Sequence, residues 1–373
     1  MSLMHVVLVP GFFSFNTIGV LRYFHGVTQT LEEHYKELGV DVAVHELVSL
    51  PTASIRRRAA YVKRKIAELT ASDDYPVHVI AHSTGALDVR LLLSPTSDLP
   101  DDVDFPILDR VQSVISVSGP HFGTPLARFL GSAPGQVALR TGSLVFFQAL
   151  TRLHLPTRLA LKAWRWSSKL DDYLGLKNTV ADELIASLGE LSENETAPLL
   201  ELLRGIEHDQ ALLFQLTEQA CDVLNAATAN PPHVRCASVV TRAPRPSARA
   251  LMRFRHDIYA QTTYAAYAAV HRLTSRTENL RPELLRANQL EALRQIYGEI
   301  PNPRDNDGIV PTLSQVWGEV LCGETADHLD GIGHFGVHEP GQAKGDWLPS
   351  DSGFDTQRFR ALWRRVAEYI AAA

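Results

Sequence analysis

One stretch constrains this chain more than any other: Val77-His78-Val79-Ile80-Ala81-His82-Ser83-Thr84-Gly85-Ala86-Leu87-Asp88. An apolar run rich in β-branched residues gives way within two residues to a serine set among small neighbours. Ala86 to Leu93 then follows with helical periodicity. The pattern predicts strand, sharp turn, helix. In the spacing Ala81-x-Ser83-x-Gly85, small residues stand two positions either side of the serine, as they must where a strand and a helix pass so close that larger side chains would clash. Such a turn holds its serine in a strained backbone conformation, clear of the sheet. It also sets the hydroxyl at a helix start, where unpaired N–H groups and the helix dipole favour developing negative charge.

A chain of 373 residues, 45% hydrophobic and 21% charged, has the composition of a globular protein with one large core or two domains. Its net charge of -6, with no basic run longer than Arg56-Arg57-Arg58, argues against a nucleic-acid partner. That arginine run falls on a predicted helix and reads as a solvated face. The three cysteines, Cys221, Cys236 and Cys322, lie far apart and predict neither a disulfide framework nor a thiolate metal site. No run reaches the eighteen apolar residues of a membrane span. The N-terminus enters an apolar strand with no cationic leader, so the expected location is cytoplasmic, or secreted where a leader has been removed.

Along the chain, Val6 to Val9 reads as a strand buried on both faces, ending at the turn Pro10-Gly11-Phe12-Phe13. Val20, Phe24, Val27, Leu31, Tyr35 and Leu38 predict a helix that stops at Gly39, and Val40 to Val44 predicts the next strand. Ile55, Ala59, Val62, Ile66 and Leu69 make a second helical stripe before the 77–88 stretch. Val111 to Ser118 is another strand, closed by Gly119-Pro120-His121-Phe122-Gly123-Thr124-Pro125. Helices alternating with early strands predict a parallel sheet with right-handed crossovers.

From Leu126 to Asn230 the pattern is helical, as in Asp182 to Leu191 and Ala211 to Leu224, with the aromatic stretch Trp164-Arg165-Trp166 among it. An insertion at the edge that carries the serine reads as a cap or lid. Residues 1–125 and 231–373 are then the core, 126–230 the insertion, and about 247–300 a further helical stretch. Val234 to Val240 and Val316 to Leu321 predict two more strands, and Phe359, Leu362, Trp363, Val366 and Ile370 a C-terminal packing helix.

A serine needs a base to take its proton, and the base needs an acid to set its tautomer. Candidates follow later strands in the order serine, acid, histidine: Ser83, then Asp307 in a polar loop with Asp305 beside it, then His328 with His334 and His338 close behind.

Four segments together, Ala-His-Ser-Thr-Gly at 81–85, Gly-Pro-His-Phe-Gly-Thr-Pro at 119–125, Asn-Asp-Gly-Ile-Val-Pro at 306–311 and His-Leu-Asp at 328–330, resemble the bacterial triacylglycerol lipases of the α/β-hydrolase superfamily. The resemblance implies an α/β-hydrolase fold and a lipase or carboxylesterase with an ester or lipid substrate and no required cofactor. By it Ser83 is the nucleophile, Asp307 the acid and His328 the base, and the backbone N–H groups of Phe12 and Thr84 form the oxyanion hole. Phe13, Phe122 and His121 would line the substrate pocket. The chain departs from the family with Pro10-Gly11 in place of His-Gly and with Ala81 at the first elbow glycine. Asp330 matches a calcium-binding aspartate of secreted members, but no aspartate stands at its partner's spacing some twenty residues before Asp307, and Asp257 is distant. The same triad also serves amidases, thioesterases and phospholipases, and a catalytically silent protein of this fold could bind a lipid or protein partner.

Overall fold

A computed structural model describes residues 3–12, 22–50, 52–99, 107–132, 135, 211–253, 258–277, 280–336, 346 and 348–373. Among them six strands form one parallel sheet in the order β2-β1-β3-β4-β5-β6. The strands are β1 Met4–Val9, β2 Val42–Glu46, β3 Val77–His82, β4 Val111–Val117, β5 Arg235–Thr241 and β6 Glu319–Glu324. β1 and β3 are buried along their whole length, which is why they read as unbroken apolar runs rather than alternating ones. Because β2 and β3 pair on opposite sides of β1, the winding reverses there, and open α/β sheets bind ligands beside such a reversal at the carboxyl ends of the strands.

Successive side chains leave a strand on opposite faces, so each strand feeds two cores. Val6 and Leu8 of β1, Ile80 of β3 and Val239 of β5 face α1 Val27–Leu38 and α11 Thr356–Ala371, where Leu31, Tyr35, Leu362, Trp363 and Val366 are buried. Val7 and Val9, with Val79 and Ala81, face α2 Ile55–Leu69 and α3 Gly85–Leu92 through Ala59, Val62, Ile66, Ala86 and Val89. The remaining described helices are α4 Ile107–Arg110, α5 Pro125–Leu130, α6 Ala211–Gln215, α7 Glu218–Ala227, α8 Ala248–Arg253, α9 Ile258–Thr274 and α10 Ala287–Tyr297. None of them is long and apolar enough to cross a membrane.

Element boundaries differ from the sequence expectation at several places, three of them with a clear backbone or register change. Helix α1 starts only at Val27, because Gly26 sits at φ 71 and breaks the run that periodicity extends back through Phe24 to Val20; Phe24 is nevertheless buried, and Val20 lies outside the described residues. Strand β2 is displaced from 40–44 to Val42–Glu46. The last strand begins at Glu319 rather than Val316, since the chain turns at Gly318 with φ 67, where a Cβ would lie 2.0 Å from the Cys236 carbonyl oxygen. Of the predicted insertion, α6 and α7 lie among the described residues; Asp182–Leu191 and Trp164 to Trp166 lie outside them.

Candidate active site

The turn between β3 and α3 holds Ser83 at φ 56, a left-handed conformation that costs a non-glycine residue roughly 1 kcal/mol or more. The Ser83 N–H donates to the Val117 carbonyl at 2.9 Å, which ties the turn to β4. Gly85 is required by close approach: a Cβ there would lie 2.7 Å from the Pro10 oxygen and 2.8 Å from that of Val9. Gly11 is under the same constraint, with Ser83 Cβ 2.7 Å from its own Cβ position. The start of α3 and the turn after β1 are therefore pressed together around the serine. Of the residues expected to offer oxyanion donors, Phe12 follows Gly11 and Thr84 lies between Ser83 and Gly85.

His328 Nε2 lies 2.9 Å from Ser83 Oγ, and His328 Nδ1 lies 2.8 Å from Asp307 Oδ2. A carboxylate only accepts, so Nδ1 carries the ring proton and Nε2 is left to accept from the serine hydroxyl. All three side chains are buried, Ser83 and His328 at 6% and 5% exposure and Asp307 at 0%. Asp307 is held by four further donors: Ile309 N–H and Val310 N–H on Oδ1, Thr241 Oγ1 and Gln315 Nε2 on Oδ2. The His328 N–H also donates to the Asp307 carbonyl, joining the histidine loop to the acid loop through the backbone.

The other candidates have other partners. Asp305 pairs with Arg245 and Arg242 near the surface. His334 Nε2 bonds the Tyr23 carbonyl at 2.9 Å. His338, Phe13 and Asp257 lie outside the described residues. Phe12 packs beside Ile55, Leu87 and Leu212, and Phe122 against the cluster of Val240, Leu280 and Leu313. His121, expected to line a substrate pocket, is instead fully buried: its Nε2 lies 2.8 Å from Ser116 Oγ and its ring stacks on Trp317. It packs the turn after β4, and burial pushes its imidazole well below the usual range.

The arginine run corrects a second expectation. Arg56 and Arg57 are exposed, but Arg58 is completely buried. Its guanidinium bonds both oxygens of buried Asp88 at 2.9 to 3.0 Å from Nε, the Thr84 hydroxyl at 3.2 Å and the Pro10 carbonyl at 3.3 Å. It thus clamps the two segments beside Ser83 from behind. Periodicity already carried this signal, because position 58 follows Ile55 by three and precedes Val62 by four, on the apolar face of α2.

Asp330, the candidate calcium ligand, lies in a buried carboxyl cluster with Asp327 and Asp346. Burial pushes Asp330 up to about 7 and Asp346 up to about 8; burial, with repulsion from its two acidic neighbours, holds Asp327 well above the carboxylate range. Protein donors hold some of the oxygens: the Asp327 N–H and Ser352 hydroxyl on Asp330 Oδ2, and the Ser350 hydroxyl on Asp327 Oδ2. Among the described residues no group of three or more His, Cys, Asp or Glu is disposed to hold a metal ion. The three carboxyl groups carry charge that a cation would offset.

No protein-family model matches the chain. A triacylglycerol lipase of Vibrio cholerae is 31% identical over 140 residues, 36% of this chain and 40% of that protein. A triacylglycerol lipase of Pseudomonas fragi is 32% identical over 154 residues, 39% of this chain and 47% of that protein. The match thus spans less than half the length of either relative. Among solved structures, lipase 1 of Pelosinus fermentans aligns over 100% of both chains with 18% identity and a TM-score of 0.52. EstA of Clostridium botulinum aligns over 99% of this chain and 87% of its own, with 16% identity and a TM-score of 0.53. At such identities the likeness is one of fold. The parallel sheet flanked by helices, with its strand-turn-helix serine, is accordingly an α/β-hydrolase fold, in a chain similar over somewhat more than a third of its length to bacterial triacylglycerol lipases.

Proposed function

We propose that this protein is a serine hydrolase of carboxylic esters, a lipase or carboxylesterase working through an acyl-enzyme on Ser83. The observation that carries the reading is the unbroken chain from Ser83 Oγ to His328 Nε2 and from His328 Nδ1 to Asp307 Oδ2, at 2.9 and 2.8 Å. In the first half-reaction His328 Nε2 takes the hydroxyl proton as Ser83 Oγ bonds to the ester carbonyl carbon. Negative charge develops on the carbonyl oxygen between the N–H groups of Phe12 and Thr84, beside the positive end of α3. Asp307 keeps Nδ1–H in place and offsets the imidazolium charge. The tetrahedral intermediate collapses as the C–O bond to the alcohol breaks, and His328 returns the proton to the departing oxygen. Water repeats the sequence on the acyl-enzyme and releases the acid.

Ester rather than amide as substrate is taken from the lipase relatives, since the triad alone does not choose the leaving group. We further propose that 126–230 caps the site. The support is packing: Leu212 of α6, Leu216 just after it and Cys221 of α7 share a cluster with Leu87 of α3 and, at its edge, Phe12. The test is hydrolysis of a p-nitrophenyl ester series by the wild type and Ser83→Ala. The variant should stay folded and lose at least about 10³-fold in kcat/KM, and unchanged turnover would overturn the reading.

A further inference from the structure

A hydrogen-bonded path runs from the turn after β1 to the loop of the candidate base, and neither end of it touches the reacting atoms. The Gly11 N–H donates to the Tyr23 hydroxyl at 2.9 Å. With its oxygen accepting there, Tyr23 donates its own proton to His82 Nδ1 at 2.7 Å. His82 therefore carries its proton on Nε2, which donates to the His328 carbonyl at 3.0 Å. Burial holds both groups in these neutral forms, raising the Tyr23 hydroxyl well above its ordinary range and pushing the His82 imidazole well below its own. His82 is fully buried, and its ring lies 4.7 Å from that of His328 and 5.7 Å from that of Tyr23, centroid to centroid.

The segment carrying Tyr23 is also bound to the histidine loop through the main chain. The His25 N–H donates to the Ile332 carbonyl at 2.8 Å, and His334 Nε2 bonds the Tyr23 carbonyl. Gly333 passes so close that a Cβ there would lie 1.8 Å from the His25 oxygen. Residues 23–25 thus lie flush on the loop 328–334, with one hydroxyl reaching across to Gly11.

We infer that Tyr23 and His82 are positioning residues that set the spacing between the Gly11–Phe12 turn and the His328 loop, so that the Phe12 N–H meets the substrate carbonyl oxygen while His328 Nε2 meets Ser83 Oγ and the leaving-group oxygen. The inference rests on the reading of Ser83 as nucleophile. Its physical basis is that a donor displaced by about 1 Å loses most of its value to a developing oxyanion while contributing little to ground-state binding. Removing the Tyr23 hydroxyl leaves the Gly11 N–H without its partner and frees the turn to shift.

The test compares Tyr23→Phe, His82→Asn and His82→Phe with the wild type and Ser83→Ala. The readouts are p-nitrophenyl butyrate kinetics and the affinity of an alkyl trifluoromethyl ketone, whose carbonyl carbon bonds to Ser83 Oγ and whose oxygen becomes the tetrahedral oxyanion. Tyr23→Phe should lower kcat about 10- to 100-fold, less than the roughly 10²- to 10³-fold cost of removing an oxyanion donor outright. KM should stay within about twofold, and the ketone should bind more weakly by the factor lost in kcat/KM. His82→Asn, whose Oδ1 still accepts from Tyr23, should retain several-fold more activity than His82→Phe. Should Tyr23→Phe not fold, the two His82 variants decide alone, and equal activities there overturn the relay. Unchanged kcat and ketone affinity in Tyr23→Phe, or a loss confined to KM, likewise overturn it. Full turnover in Ser83→Ala sinks the nucleophile reading and the relay together, whereas a dead Ser83→Ala beside an unaffected Tyr23→Phe sinks the relay alone.

Discussion

A hydroxyl attacks an ester only when its proton has somewhere to go, and for Ser83 as the proposed nucleophile the destination is decided by geometry rather than by residue type. Three histidines follow the last strand within eleven residues. Of the two in the described structure, His328 lies 2.9 Å from Ser83 Oγ, and His334 spends its Nε2 on the Tyr23 carbonyl. Replacing His328 with Ala should therefore cost at least about 10³-fold in kcat/KM, as loss of a triad base does. His334→Ala removes a loop contact, and its kcat/KM should stay within about tenfold of wild type. Soluble-ester kinetics on the two variants side by side check the assignment, and equal losses would contradict it. The serine was legible because strain, small neighbours and a strand-to-helix switch all leave marks in one short stretch. The donors around Asp307 were not, since Thr241 and Gln315 stand on separate segments and look unremarkable until the fold brings them to one carboxyl group.

Helices α2 and α3 meet through a wholly buried ion pair, Arg58 with Asp88, closed at 2.7 Å between Nη2 and Oδ2. Burial pushes the Asp88 carboxyl up, and the Arg58 guanidinium opposes it. Deleting one partner strands the other charge in the interior, a loss of about 3 to 5 kcal/mol, whereas replacing both with apolar residues is far milder. Arg58→Met should accordingly lower unfolding stability by that amount, and Arg58→Met/Asp88→Leu should recover a large part of it. Urea unfolding of the two single variants and the double completes the cycle, and strictly additive losses would show that the pair is not coupled. The carbonyls of Pro10 and Leu50 also accept from this guanidinium, so the element that holds α3 against α2 braces the turn after β1 as well.

Across the whole molecule, buried histidines set how the fold responds to acid. Burial holds His78 on β3 down to about 4, with the positive charge of Arg235 adding to the effect, and His271 is likewise held down to about 4. An unfolded histidine titrates near 6.5, so as pH falls from 6.5 towards 4 the unfolded chain takes up protons that these folded side chains refuse, and stability drops. The buried carboxyls work in the opposite sense: Asp330 and Asp346, held up to about 7 and 8, withdraw stability as pH rises from about 4 towards 8. A single substitution separates the two effects. In His78→Gln the slope of unfolding free energy against pH between 6.5 and 4 should be less positive than in the wild type by about 1 kcal/mol per pH unit, the value of one unshared proton. Urea midpoints measured at several pH values read this directly, and parallel curves would refute it. By itself the chain determined what is written in periodicity and close spacing: the alternation of strands and helices, the two-faced sheet, the apolar stripes of α2 and α11, and the serine turn, because each depends on residues within one or two helical turns of each other. Only the tertiary structure decided which acid and which histidine meet that serine, that Arg58 faces inward, that His121 packs rather than lines a site, and that Tyr23 ties two distant loops together. Those pairings join residues up to a few hundred positions apart, and no local pattern encodes a contact that the sheet creates by bringing its carboxyl-end loops to one edge.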